Sequence, residues 1–173
     1  MQETHPAGVA AILPAALVGG SLAGAIDIGY AIAANLAKVP PGRVLQSVAS
    51  GLLGRSAFEG GPATAVLGLA LHFLMTIVMA VIFILVARAS APVRNKLVAA
   101  GLLYGCGVYF VMRWVVVPLS RFPGDLRAVH PLELAFHAVG VGLVIALTAR
   151  HFGALDLTMS RRAHVEPSTS KGL

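Results

Sequence analysis

Four stretches of the chain stay apolar for long enough to cross a bilayer, and few polar positions interrupt them. At about 1.5 Å of rise per residue, about 30 Å of hydrocarbon takes roughly 20 apolar residues in a helix. The stretches over about 14–36, 63–87, 97–119 and 132–149 meet that length. They are too long and too evenly apolar for barrel strands, which alternate with period two over about ten residues. The pattern therefore predicts an all-α membrane protein with four transmembrane helices. Breakers fall where the spans should stop: Gly60, Gly61 and Pro62 before the second, Ser90, Ala91 and Pro92 after it, Pro118 and Phe122-Pro123-Gly124 after the third, and Pro131 at the head of the fourth.

A shorter periodic piece, about 43–54, separates the first two spans. At 100° per residue Val44, Leu45, Val48, Leu52 and Leu53 share a half-circle, with Arg43, Gln46, Ser47 and Ser50 opposite. It is too short to span, so it is expected as an amphipathic helix at the interface or across the bundle mouth. A re-entrant segment lining a path is the alternative.

Composition narrows the class. Of 173 residues, 57% are hydrophobic and only 12% charged, with a mean hydropathy of +0.84. A soluble domain carries about 25% charged residues, so an ordinary cytosolic enzyme and a disordered tail protein are excluded. The net charge of +6 comes from 13 Lys and Arg scattered between apolar stretches, not from a basic face. No nucleic-acid partner is expected; the expected partner is the lipid bilayer. One Cys allows neither an intrachain disulfide nor a zinc site of several thiolates. Residues 1–152 are expected to form a single four-helix transmembrane domain, and 153–173 a polar, disordered cytoplasmic tail. The absence of Lys and Arg from residues 1–13 and the length of the first span argue against a cleaved signal.

Four spans put both termini on one side with Arg88, Arg94, Lys96, Arg150, Arg161, Arg162 and Lys171. Lys38, Arg43, Arg55, Arg121 and Arg127 lie on the other. Arg88, Arg94 and Lys96 crowd a very short loop, where the positive-inside rule weighs most, so cytoplasmic termini in a bacterial inner membrane are expected. Gly20 with Gly24 and Gly101 with Gly105 form GxxxG pairs, and Gly140 and Gly142 thin the fourth span. Small residues let backbones approach closely, either within the chain or with a second copy or another membrane protein.

The unusual chemistry is intramembrane. Asp27, His72, Arg113, Glu133 and His137 lie inside the spans, each displaced by about 3 to 11 Å from its span's midpoint toward the face carrying the first and third loops. Tyr30, one turn from Asp27, is counted with them. Ionisable groups at such depth face the bundle interior and find partners. The expected pairs are Asp27 with Arg113 or His72, and Glu133 with His137 at i, i+4. Two readings stay open: a buried network that only sets helix rotation, or a half-membrane polar cavity that exchanges protons or admits a small polar ligand. No ionisable residue occupies the cytoplasmic halves, which disfavours a complete channel or pump.

Other chemistry finds little support. His130, Glu133 and His137 share a helical face but make only a loose zinc pattern, with Pro131 placing His130 at the helix start, so no metal is assigned. Gly-x-Ser-x-Gly is absent, and the Gly-x-Gly at 105–107 and 140–142 sits inside apolar helices rather than after a strand. No catalytic residue, enzymatic activity or cofactor is expected.

The segments 45–54 (LQSVASGLLG), 67–73 (LGLALHF), 108–112 (VYFVM) and 116–120 (VVPLS) resemble a group of small bacterial four-helix membrane proteins without an assigned activity. His137 with 141–143 (VGL) and 145–147 (IAL) continues the resemblance, which covers about 20–150. The architecture is more distantly similar to YagU-like inner-membrane proteins, which implies a link to acid resistance. In the resembled group Asn more often stands at the position of Arg113 and Glu133 is not fixed, so the resemblance favours Asp27, His72 and His137. The expected function is a membrane protein with a proton-responsive or ligand-binding His/Asp cluster, serving envelope or acid stress. The alternative is a non-catalytic structural or assembly partner of another membrane protein.

Overall fold

The computed structural model describes residues 10–156, so most of the expected tail, 157–173, lies outside the described residues. Four helices are long and apolar enough to cross a membrane: α1 (Ile12–Asn35), α3 (Gly61–Ala89), α4 (Leu97–Leu119) and α5 (Pro131–His151). A fifth, α2 (Pro41–Leu53), joins α1 to α3. The spans start and stop within about two residues of the expected limits because the breakers act as their geometry demands. Pro14, Pro41, Pro62 and Pro131 all sit in first turns, where a missing N–H removes no hydrogen bond. After α3, a single turn over Ala91–Asn95 leads into α4. Arg94 Nη1 donates to the last carbonyls of α3, Ala87 O at 2.9 Å and Arg88 O at 2.6 Å.

α1 packs between α3 and α5, α4 packs on α5, and α2 lies along α3. Glycines set these approaches. A Cβ at Gly20 would lie 2.5 Å from Ile77 Cα, and one at Gly24 2.7 Å from Thr76 Oγ1, so α1 and α3 are nearly in backbone contact. On the other side Gly101 and Gly105 of α4 meet the α5 backbone at Gly142 and His137 too closely for any Cβ. Gly20, Gly24, Gly101 and Gly105 therefore all face helices of the same chain.

The two ends of the bundle differ. Toward the described termini, Ala15, Ala16, Ala80, Ala87, Ala146 and Ala149 let the helices close around Phe83, Ile84, Val141 and Ile145 in a dry core. The end toward α2 carries the polar side chains, and α3 is tied to α4 at Tyr104, whose hydroxyl donates to Met79 O at 2.7 Å and whose ring meets Phe83 edge-on. Leu13, Val66, Leu74, Leu103 and Leu132 are exposed on the outside, as a lipid-facing surface requires.

α2 does not divide as its sequence pattern suggests. Gln46 and Ser50 are buried, whereas Leu52 and Leu53 are exposed. Gln46 donates from Nε2 to Gly61 O at 2.9 Å and Thr64 Oγ1 at 3.3 Å, and Ser50 Oγ to Ser47 O at 2.7 Å. These bonds allow polar side chains to turn inward, and Gly68 admits the α2 backbone at Leu45 O.

Gly68→Ala and Gly105→Ala should each lower stability by about 1–3 kcal/mol, because the added methyl meets backbone that cannot yield. Gly107→Ala, where a Cβ meets nothing within 4 Å, should leave stability unchanged or slightly raised. Thermal unfolding in detergent reads the contrast.

Candidate functional site

The close approach of α1 and α3 places the first half of the site. With no side chain at Gly24, His72 of α3 reaches its carbonyl, Nε2 lying 3.0 Å from Gly24 O. Asp27 follows Gly24 by one turn, and its Oδ2 lies 3.9 Å from the same nitrogen. The approach of α4 and α5 places the second half. His137 opens a π-helical stretch, His137–Leu143, its Nδ1 lies 3.0 Å from Glu133 O, and its Nε2 lies 3.5 Å from Asp27 Oδ1. Each oxygen of one carboxylate thus faces an imidazole from a different helix.

Hydrogen-bond chemistry restricts the protons. A carbonyl oxygen only accepts, so Nδ1 of His137 carries hydrogen and donates to Glu133 O. In the neutral ring Nε2 is then a bare lone pair, aimed at a carboxylate oxygen. Two lone pairs opposed at this depth repel, and the contact is favourable only with one proton shared between Asp27 and His137. His72 does not supply it, because its Nε2–H is directed at Gly24 O.

Arg113 forms a separate group. Its buried guanidinium donates to Leu126 O, to Ala128 O at 2.9 Å and to Glu133, with which it forms an ion pair. It also lies over the Tyr109 ring, 4.7 Å from the centroid. Tyr109 hydroxyl accepts the backbone N–H of His130 at 2.9 Å, and Trp114 Nε1 donates to Arg127 O at 3.3 Å. The loop between α4 and α5 is therefore fastened by α4. A second π-helical stretch, Met112–Val116, carries Arg113 and Trp114.

The two groups line one cavity of about 260 Å³ between α1, α2, α3, α4 and α5. Asp27, His72, His137, Arg113, Glu133 and Tyr30 all reach it. Tyr30 is stacked on Phe136 at a 4.1 Å centroid distance. Met75 and Met79 of α3, Met112 of α4 and Val44 and Val48 of α2 belong to its apolar remainder.

The pairing differs in part from the sequence expectation: of the two partners expected for Asp27, His72 is found at 3.9 Å and Arg113 is not. Arg113 takes Glu133 rather than Asp27, and His137 meets Glu133 through its backbone carbonyl rather than its carboxylate. Glu133, already held by Arg113, leaves the His137 ring to turn to Asp27. His130 contributes its backbone N–H, and no group of three or more His, Cys, Asp or Glu among the described residues is placed to hold a metal ion. Sequence reading missed Tyr109, one turn before Arg113. It also missed Met75 and Met79, although His72, Met75, Thr76 and Met79 follow the i, i+3, i+4, i+7 spacing of one helix face. No protein-family model, curated protein or solved structure matches the chain.

Glu133→Gln should destabilise by about 3 kcal/mol, the lower end for a broken buried pair because the Glu133 side chain keeps 29% exposure. Arg113→Met combined with Glu133→Leu should recover most of that loss, since no uncompensated charge remains. Thermal unfolding of the single and double variants measures both.

Proposed function

We propose that this chain is a multi-pass inner-membrane protein whose Asp27–His72–His137 cluster takes up and releases protons from the side opposite its termini, in the service of envelope or acid stress. The observation that supports this best is the opposition of His137 Nε2 and Asp27 Oδ1 across 3.5 Å. Neither group can hold that arrangement without a proton, and histidine is the side chain whose charge ordinarily changes between about pH 5 and 8. In this reading the cluster is non-catalytic and works by binding.

The threading follows the charges. Arg88, Arg94, Lys96 and Arg150 gather at the end of the bundle where the described chain begins and stops, so that end lies in the cytoplasm by the positive-inside rule. The cavity then faces the outer leaflet. α2 lies at that interface over the cavity mouth, with Leu52 and Leu53 toward lipid and Val44 and Val48 toward the cavity. Residues up to 152 act as one transmembrane domain, with a polar tail beyond. The link to acid stress rests on the resemblance to YagU-like proteins read from the sequence alone.

A purely structural role is favoured for one part only. Arg113 is engaged by Leu126 O, Ala128 O, Glu133 and the Tyr109 ring, which suits it to fixing the loop between α4 and α5.

Proton uptake by purified protein in nanodiscs on a step from pH 9 to pH 5 tests the proposal. His137→Gln should take up about one proton per chain fewer than the unaltered protein, at equal abundance in the membrane. Asp27→Asn with His137→Gln should lose about one and not two, because the proton belongs to the pair. Unchanged uptake with reduced abundance would assign the cluster to folding alone.

A further inference from the structure

We propose that the cavity binds a small lipophilic monoamine as its ammonium ion, which takes the place of the proton held by Asp27 and His137. This inference rests on the proton-exchange reading and adds the class of ligand.

Charge closure is the first ground. Asp27 and Glu133 each bring a negative charge, Arg113 brings a positive one, and the neutral imidazoles of His72 and His137 bring none, so the lining sums to one negative charge. Exactly one positive charge closes it. Arg113 cannot be that charge for Asp27, because its donors go to Leu126 O, Ala128 O and Glu133.

The second ground is the state of Asp27. Its side chain is only 19% exposed, and its oxygens face ring nitrogens at 3.5 and 3.9 Å. His72 Nε2 gives its hydrogen to Gly24 O, and His137 Nε2 has none in the neutral ring. The chain therefore presents a carboxylate to the cavity without a short hydrogen bond from any of its own donors. An ammonium carries three such donors and the missing charge together.

Volume and lining choose among monovalent cations. About 260 Å³ corresponds to roughly nine water-sized groups at about 30 Å³ each, far more than a proton needs. Among the described residues no group of three His, Cys, Asp or Glu is placed to hold a bare metal ion. The lining includes Met75, Met79 and Met112, flexible and polarizable side chains that fit a compact hydrocarbon body of varied shape.

The exchange balances. The bound proton leaves the Asp27–His137 pair as the ammonium arrives, giving carboxylate, neutral imidazole and one proton released per ammonium bound. The other titratable or charged groups facing the pair are Tyr30 from α1, His72 from α3, Tyr109 and Arg113 from α4, and Glu133 from α5, while α2 contributes none.

Isothermal titration calorimetry of the full chain in nanodiscs with cyclohexylamine, in two buffers of different ionisation enthalpy, tests this. Saturable binding is expected, with about one proton released per amine and affinity rising with pH by up to tenfold per unit. Cyclohexanol, of the same shape without the charge, should bind at least tenfold more weakly, and Asp27→Asn should bind the amine at least tenfold more weakly. Equal binding of the alcohol, binding without proton release, displacement of the proton by sodium chloride alone, or no binding of cyclohexylamine to the unaltered protein would each overturn the inference. A protein that takes up protons as described above but ignores the amine would leave the proton reading standing and remove only this one.

Discussion

Hydrocarbon offers no partner to a polar group, so every ionisable side chain at membrane depth must be met by another part of the same bundle. In this chain that requirement is met through glycine. Gly20 and Gly24 bring α1 onto α3 until an imidazole touches a main-chain carbonyl, and Gly101, Gly105 and Gly142 bring α4 onto α5. The first contact delivers His72 to Asp27, and α1, lying between α3 and α5, also meets His137 of α5. Larger residues at these positions would separate the helices and leave Asp27 without any partner.

The bundle is consequently divided by chemistry along its length. One half is closed by alanines around Phe83, Ile84 and Ile145. The other half holds the cavity, which α2 lines in part. Within that half, the polar groups are of two kinds. Arg113 is satisfied by carbonyls, a carboxylate and a ring, which makes it a fastening. Asp27 faces two ring nitrogens at 3.5 and 3.9 Å, and in the proposed reading it is a binding group. The two share a cavity wall but not a role.

Much of this was legible in the residues alone. Span limits followed from proline and glycine, whose backbone constraints act locally, and the common depth of Asp27, His72 and His137 followed from rise per residue. The partners did not follow. Who meets whom depends on helix rotation, and two π-helical stretches, Met112–Val116 and His137–Leu143, alter the rotation of α4 and α5 near the site. An extra residue in a turn shifts the following side chains by about 100°, so ideal-helix phase could not pair Arg113 with Glu133. For α2, the burial of Gln46 depended on acceptors at Gly61 and Thr64 that only the folded chain brings near. Hydrophobic phase carries no such information.

The central claim concerns where hydrogens sit on His137, and nitrogen-15 NMR of labelled histidine in bilayers observes that directly. The account predicts that at neutral pH His137 carries hydrogen on Nδ1, with a further proton shared between Nε2 and Asp27. A neutral His137 with its only hydrogen on Nε2, beside an ionised Asp27, would make the contact an ordinary hydrogen bond and contradict the account.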